Sequence, residues 1–357
     1  CLVRFRGFGR TGDQAGTLEG EMTYAELVQP LLERKDLSEV QAREAMRFLI
    51  SGDATEAQIG GFLLALRVKG STTRELAAFA SVMREKALIV SHPFNDLVDT
   101  CGTGGGVPSF NLSTAAAFVA CGAGVRIAKH GNRSMTGLGS AEVLEALGIV
   151  LGAEPEVLAH QLETVRMAFL FAQAHHPAMR HVAKSRSELG VRTIFNQLGP
   201  LANPAAARRQ LIGVYEPGLM RSMGEALRVL EAERAILVHG KDGLDEASAV
   251  TDTNFVKVWE GEVTTGVFSP GDFGIVPISP EALRPGTTPK ENAEILKEAI
   301  TDLASPRALA ILPSAAIAIW LSGLEDTLPD SAERARHSIR EGKAFGKLQE
   351  LIAAGSR

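Results

Sequence analysis

The run VDTCGTGGGVPSFNLST, residues 98–114, decides how this chain folds. A short apolar pair leads into four glycines, then small polar residues, then the alanine-rich STAAAFVACGAG of residues 113–124. A short strand, a glycine turn and a buried helix form the repeating unit of an α/β domain. A helix beginning near Ser113 points free N–H groups and its positive end at the loop. Glycine permits positive φ and lets backbone approach an anion closely. The stretch therefore reads as an anion cradle, with Ser109, Asn111, Ser113 and Thr114 adding side-chain donors or metal-facing oxygens. It matches neither the dinucleotide fingerprint nor the Walker loop, which requires Lys and Ser/Thr directly after its glycines. A tight structural turn is the other reading of the glycines alone.

On the N-terminal side, residues 23–88 are helical throughout. TYAELVQPLLERKDLS, SEVQAREAMRFLISGDA, TEAQIGGFLLALRVKG and STTRELAAFASVMREKA each begin with Ser or Thr and carry an acid or amide soon after. That is N-capping grammar, and the apolar spacing of three and four predicts about four helices. Residues 1–22 lack a signal-peptide hydrophobic stretch and read as a loose arm. On the C-terminal side, strands are predicted at DLVDT (96–100), VRIAKHG (125–131) and AERAILVHG (232–240), and around 254–264. Helices are predicted at AEVLEALG (141–148), 290–301, 306–321 and 331–353, and the segment 154–197 reads as mostly helical. The expectation is a large α/β domain with a mainly parallel sheet, formed by residues 91–164 and 196–357. A small all-helical domain at 23–90 would gain helices from about 165–195 and so be discontinuous.

Composition narrows the function classes. The chain has 357 residues, 45% hydrophobic and 22% charged, with a net charge of -5 and no long basic block. A general nucleic-acid surface is not favoured, whereas a small anion pocket is allowed. No apolar run reaches about 18 residues, so no membrane span is expected. Three cysteines, Cys1, Cys101 and Cys121, have no metal-like spacing and make a poor disulfide framework. A reducing, cytoplasmic location is expected.

Two further motifs carry chemistry. In AKHGNRSMTGLGSAEVLEALG (128–148), Lys129, His130 and Arg133 crowd a strand end, with Asn132, Ser134, Thr136 and Ser140 among glycines. Several cations and donors in one loop suit a multiply charged ligand. In LVHGKDGLDEAS (237–248), Asp245 and Glu246 follow a strand and offer hard oxygen donors for Mg²⁺, although adjacent acids are commonly solvated surface. His175, His176 and His181 do not read as a metal site, because adjacent histidines converge poorly on one ion.

These motifs together resemble the anthranilate phosphoribosyltransferase family, from about residue 23 to 351. The resemblance rests on GTGG…FNLSTAAA, AKHGNR…GSAEVLEALG, HPAMRHVAKSRSELGVRTIFNQLGPLANP and HGKDGLDE. It implies the nucleoside phosphorylase/phosphoribosyltransferase-like fold, a homodimer through the helical domain, and phosphoribosyl pyrophosphate (PRPP) with two Mg²⁺ ions in the interdomain cleft. It puts Gly102, Gly105, Gly106, Ser109, Asn111, Leu112, Ser113 and Thr114 against PRPP. Lys129, His130, Gly131, Asn132, Arg133, Ser134, Met135, Thr136, Gly137 and Ser140 match the second PRPP loop. Gly102, Asn132 and Arg186 match anthranilate contacts, with Arg186 on the carboxylate, although Arg186 also reads as a solvated helix arginine. Ser113 and Glu246 match ligands of one ion, Glu246 bridges to the second, and Asp245 supports that second ion. The catalytic set implied is His130, Lys129 and Arg133, with His130 beside the aromatic amine.

The chain departs from the family pattern in two ways. The motif usually written GTGGD ends here in Gly106, which changes the local charge near the diphosphate or magnesium. The loops before Phe110 and between Asn132 and Ser140 are each one residue shorter. A nucleoside phosphorylase, a PRPP transferase with another aromatic acceptor and a non-catalytic PRPP binder remain alternatives at this level.

Overall fold

The computed structural model describes residues 22–134 and 137–355. The expected arm before Met22, and the candidate contacts Met135 and Thr136, lie outside the described residues. Helices α1 (Tyr24–Leu32), α2 (Glu39–Ser51), α3 (Glu56–Lys69) and α4 (Thr73–Glu85) start directly after Thr23, Ser38, Thr55 and Thr72. Each hydroxyl accepts from the third amide of its helix, and Glu26, Gln41, Gln58 or Glu75 returns the bond to the cap residue. Their apolar faces close on Leu27, Met46, Phe62, Leu66 and Phe79.

The remaining chain alternates strands and helices. In order they are β1 (Leu97–Gly102), α5 (Leu112–Gly122), β2 (Arg126–Gly131), α6 (Ser140–Ala146), α7 (Pro155–Thr164), β3 (Met167–Phe171) and α8 (Ala172–His175). Then follow α9 (Arg180–Leu189), α10 (Phe195–Leu201), β4 (Arg209–Gly213), α11 (Pro217–Val229), β5 (Arg234–Gly240), β6 (Thr253–Trp259) and β7 (Glu262–Phe268). Four helices finish the chain: α12 (Pro289–Thr301), α13 (Pro306–Ser322), α14 (Leu328–Arg340) and α15 (Lys343–Gly355).

The seven strands make one sheet in the order β3-β2-β1-β4-β5-β6-β7. The first five are parallel and the last two antiparallel. From β1 the chain moves outward to β2, and from β4 it moves the opposite way to β5. Such a reversal opens a crevice at the carboxyl ends of the two strands, where ligands of open α/β sheets bind. Helix α5 packs under α13 and α15, while α11 packs against α4 and the antiparallel strands. Its alanine-rich sequence allows α5 to be buried on every side. Helix α9 packs on α2 and α3, and α10 on α4, so the chain does return to the first helices.

Three expectations need correction. Residues 167–171 are not helical: MAFLF is strand β3, paired in register with β2. A short, wholly apolar run has no periodicity to separate strand from buried helix. The central strand β4, RQLIG, was not anticipated either: with two polar residues first and a glycine last, it holds too few apolar positions to show a strand period. The single helix expected over 331–353 is two, α14 and α15, broken where Gly342 takes a φ of 67°.

Candidate active site

The glycine loop leaves β1 at Gly102 and lies across the crevice between β1 and β4. Gly104 and Gly105 have φ values of 67° and 90°, a backbone that other residues rarely adopt. Thr103 N–H donates to the Gly213 carbonyl at 2.8 Å, which pins the loop to the end of β4. Asn111 Nδ2 donates to the Leu138 carbonyl at 3.1 Å and so joins this loop to the second one, while its buried Oδ1 has no partner. Leu112 and Thr114 point into the core and are buried, the Thr114 hydroxyl unpartnered; Ser109 and Ser113 keep partial exposure.

The second loop leaves β2 at Gly131. A side chain there would meet Phe169 and the Ser140 hydroxyl, each 2.6 Å from a Cβ. Asn132 closes the loop: its carbonyl accepts from Ser140 Oγ at 3.4 Å, and its Oδ1 accepts from Arg133 N–H at 2.8 Å. Ser134 Oγ accepts from Leu138 N–H at 3.1 Å, and Gly137 has a φ of 73°. Arg133 is exposed and makes two bonds to the Glu145 carboxylate, 2.7 and 2.8 Å.

Lys129 occupies a different setting from the one its sequence context suggests. Its side chain is 2% exposed and lies beneath the cradle. The ammonium donates to the Thr100 carbonyl, to Thr100 Oγ1 at 3.4 Å and to Ser113 Oγ at 3.3 Å. Burial pushes its pKa down against the pull of Asp99 and Glu246. It is the floor of the cradle, because β2 lies next to β1 and Lys129 points inward from it.

Asp245 and Glu246 follow β5, in the turn that faces the glycine loop. Glu246 accepts from Ser113 N–H and from Ser314 Oγ, both at 3.1 Å, and so caps α5. Burial, then the neighbouring Asp245 charge, raises the Glu246 carboxyl to about 7. Burial also raises Asp245, opposed by the bond it accepts from Gly106 N–H. Two crowded carboxylates beside the Ser113 hydroxyl form an all-oxygen donor set that suits Mg²⁺. Among the described residues, no group of three or more His, Cys, Asp or Glu side chains converges on one point. A hexacoordinate ion here would complete its shell with water and phosphate oxygens.

On the other side of the crevice, Arg186 lies in the last turn of α9. Its half-buried guanidinium lies 5.1 Å from the Phe195 ring centroid, and burial lowers its pKa. No acid pairs with it among the described residues, and its partial burial sets it apart from a solvated helix arginine. His130 Nδ1 meets the Gly199 carbonyl at 3.1 Å, so that nitrogen carries the proton. The buried Nε2 is then a bare acceptor with no partner. Burial and the adjacent His176 depress the His130 pKa to about 3, too low for a proton acceptor at neutral pH.

Comparison with known proteins agrees with this architecture. Residues 94–345 match the model of the glycosyl transferase family a/b domain, and residues 25–87 match its helical bundle domain. The anthranilate phosphoribosyltransferase of Methanocorpusculum labreanum is 44% identical over 331 residues, covering 92% of this chain and 97% of its own. The chain belongs to the anthranilate phosphoribosyltransferase family. The crystal structure of the Thermus thermophilus family member superimposes with a TM-score of 0.87 at 38% identity, over 93% of this chain and 99% of that one. The Saccharomyces cerevisiae family member in complex with PRPP and Mg gives 0.85 at 28% identity, over 93% and 98%. The chain is accordingly a glycosyltransferase of the α/β-plus-helical-bundle architecture.

Within this family, Gly106 now has a local physical account. A Cβ at Gly106 would lie 2.5 Å from Asp245 Oδ1 and 2.7 Å from Asp245 N. In this loop conformation Asp245 fills the space that the family's acid would enter. Gly213 is equally constrained: a Cβ there would lie 1.8 Å from the Asp245 carbonyl. Sequence reasoning missed Gly213, whose only signal was a glycine closing an unrecognised strand. It also missed Ser314, a buried serine in the apolar helix α13, for which the sequence carried no signal.

Proposed function

We propose that this crevice carries out the family's reaction through the residues brought together at the ends of β1, β2 and β5. The chain transfers the 5-phosphoribosyl group from PRPP to anthranilate, giving N-(5-phosphoribosyl)anthranilate and pyrophosphate, a step of tryptophan biosynthesis. The observation that carries this reading is the pair of glycine loops meeting an acid pair at the sheet's topological switch point, opposite an Arg186 that lacks an acid partner.

In this reading Gly102, Gly105, Gly106, Ser109 and residues 111–114 hold the diphosphate and ribose. Asn132, Arg133, Ser134 and Ser140 hold the rest of PRPP, and Lys129 keeps Ser113 and Thr100 in place from below. Arg186 pairs with the anthranilate carboxylate, near Gly102 and Asn132. His130 Nε2 accepts a hydrogen bond from the aromatic amine and orients its lone pair toward ribose C1. The amine attacks C1 as the diphosphate departs from the opposite face, and the ammonium product then gives its proton to water or to pyrophosphate. An arylamine already has its lone pair, so alignment and stabilisation of the leaving group supply most of the acceleration. Two magnesium ions, held by Ser113, Asp245 and Glu246, would offset charge on the leaving diphosphate. The reading includes a small domain at 23–90 joined by helices from about 165–195, and a large domain at 91–164 and 196–357, with β3 going to the sheet. It also includes a homodimer through the helical domain, where Leu32, Val40, Leu64 and Val68 are exposed. A cytoplasmic location suits Cys101 and Cys121, which are buried free thiols. No single helix among the described residues is long and apolar enough to cross a membrane.

Following anthranilate fluorescence with PRPP and Mg²⁺ tests the reaction, with nucleoside phosphorolysis run beside it. Anthranilate should be consumed only when PRPP is present; phosphorolysis instead would defeat the reading. Arg186→Ala should raise the KM for anthranilate about tenfold to hundredfold, the loss of a charged hydrogen bond, with a much smaller change for PRPP. Equal changes in both would remove Arg186 from the acceptor site.

A further inference from the structure

Arg192 lies in the short link between α9 and α10, six residues beyond Arg186. Its Nη2 donates to the carbonyl of Gly105 at 2.5 Å. The same guanidinium sits over the Tyr215 ring, 3.8 Å from its centroid. Tyr215 is itself joined to the glycine loop, because its N–H donates to Thr103 Oγ1 at 3.0 Å. The loop is thus held from outside at Thr103 through β4 and at Gly105 through Arg192, besides the bonds of Gly106 N–H to Asp245 and Val107 N–H to the Gly243 carbonyl. Gly105 is shaped for this grip. A Cβ there would lie 2.2 Å from Arg192 Nη2, and its φ of 90° is one that side-chain-bearing residues rarely adopt.

The position of Arg192 in the chain matters as much as its contacts. Helix α9 ends at Gly190 in the left-handed region, with a φ of 62°, and the link then runs straight to Arg192. Helix α9 packs on the helical bundle and carries Arg186, whereas the glycine loop belongs to the sheet. One short segment therefore connects the acceptor-side helix to the loop on the donor side. A guanidinium stacked on an aromatic face loses little freedom when it bonds to a carbonyl, which makes it a firm strap. Arg192 has no carboxylate hydrogen-bonded to it among the described residues, so the carbonyl bond is its anchoring contact.

We propose that Arg192 is a positioning residue for phosphoribosyl transfer. It fixes the Gly105–Gly106 peptide, whose carbonyl Arg192 holds and whose N–H donates to Asp245, and so sets the loop conformation that receives the diphosphate; it makes that geometry depend on the placement of α9. The inference rests on the reading that this loop holds the diphosphate of PRPP. Tying a carbonyl outward keeps that oxygen from turning toward the anion, where it would repel the phosphate oxygens.

Calorimetric binding of PRPP with Mg²⁺ to wild type, Arg192→Ala and Arg192→Lys tests this, together with KM and kcat for both substrates and the melting temperature. Arg192→Ala should weaken PRPP binding and raise its KM about tenfold to hundredfold, the range for one lost charged hydrogen bond. The KM for anthranilate, measured at saturating PRPP, should move less than threefold, and the melting temperature should stay close to wild type. Arg192→Lys should recover part of the loss, since an ammonium can reach the carbonyl but stacks less well. Tyr215→Leu should shift PRPP binding in the same direction and by less, which gives a second variant if the first folds poorly. Unchanged PRPP affinity in Arg192→Ala overturns the inference, as does an equal loss for both substrates with a lowered melting temperature. Wild type that fails to bind PRPP with Mg²⁺ would instead break the underlying reading of the loop.

Discussion

Lys129 and Arg133 are four residues apart on one strand–loop unit, yet they sit in opposite electrostatic regimes. Lys129 is enclosed beneath the cradle, bonded to Thr100 and Ser113 and flanked by the carboxylates of Asp99 and Glu246. Arg133 stands in solvent and holds the Glu145 carboxylate, both side chains about 40% exposed. The buried cation is fixed before any ligand arrives. In the proposed reading, the exposed one exchanges a carboxylate for a phosphate when PRPP binds. A sequence motif written KHGNR treats the two as equivalent, and the dielectric around each separates them.

The largest test of this contrast is Lys129→Met. Removing one member of a buried charge cluster strands the others, at a cost of about 3–5 kcal/mol, measured by denaturant unfolding. A loss below about 1 kcal/mol, the range of exposed pairs, would mean that Lys129 is not the electrostatic floor of the cradle.

The buried histidines extend the contrast to pH. Burial depresses His130 to about 3 and His176 to about 4, from an ordinary 6.5. Both are neutral in the folded chain, and unfolding below pH 6.5 lets them take up protons. Stability is therefore complete above that pH and falls as pH drops toward 4 and then 3, by at most about 2.7 kcal/mol per pH unit for two protons. His176→Asn should roughly halve the slope these two residues contribute, read from unfolding curves at several pH values. A slope unchanged by the substitution would show that His176 is not buried neutral.

The smallest effect belongs to the exposed pair. Glu145→Gln frees Arg133 from an interaction in the range of about 0.2–1 kcal/mol, so the KM for PRPP should fall no more than about fivefold. The gain should disappear at high salt, because the wild-type pair is screened there as well. A rise in KM would assign Glu145 to holding Arg133 in place for PRPP rather than away from it.

How far these regions could be read in the chain itself varies residue by residue. The four N-terminal helices were legible because Thr23, Ser38, Thr55 and Thr72 announce them locally, and local hydrogen bonds are written in local sequence. Strands β3 and β4 were not, since five-residue segments without a clear period take their conformation from the neighbours they pair with. In the candidate site, the glycine loop, the second loop and the acid pair were visible as residue types at strand ends. Which of their side chains face outward was not.

The sequence by itself determined that glycines would follow β1, that cations would gather around the end of β2, and that two acids would follow β5. Those properties belong to contiguous residues and need no knowledge of the rest of the chain. Only the tertiary structure decided that Lys129 would be buried, that Gly106 would yield its side-chain space to Asp245, and that Ser314 would reach Glu246 from α13. It alone brought Arg192 onto Gly105, across 87 residues of chain. Burial, charge pairing and close approach are properties of distance in space, and the parallel sheet sets that distance by bringing together strand ends that the sequence keeps far apart.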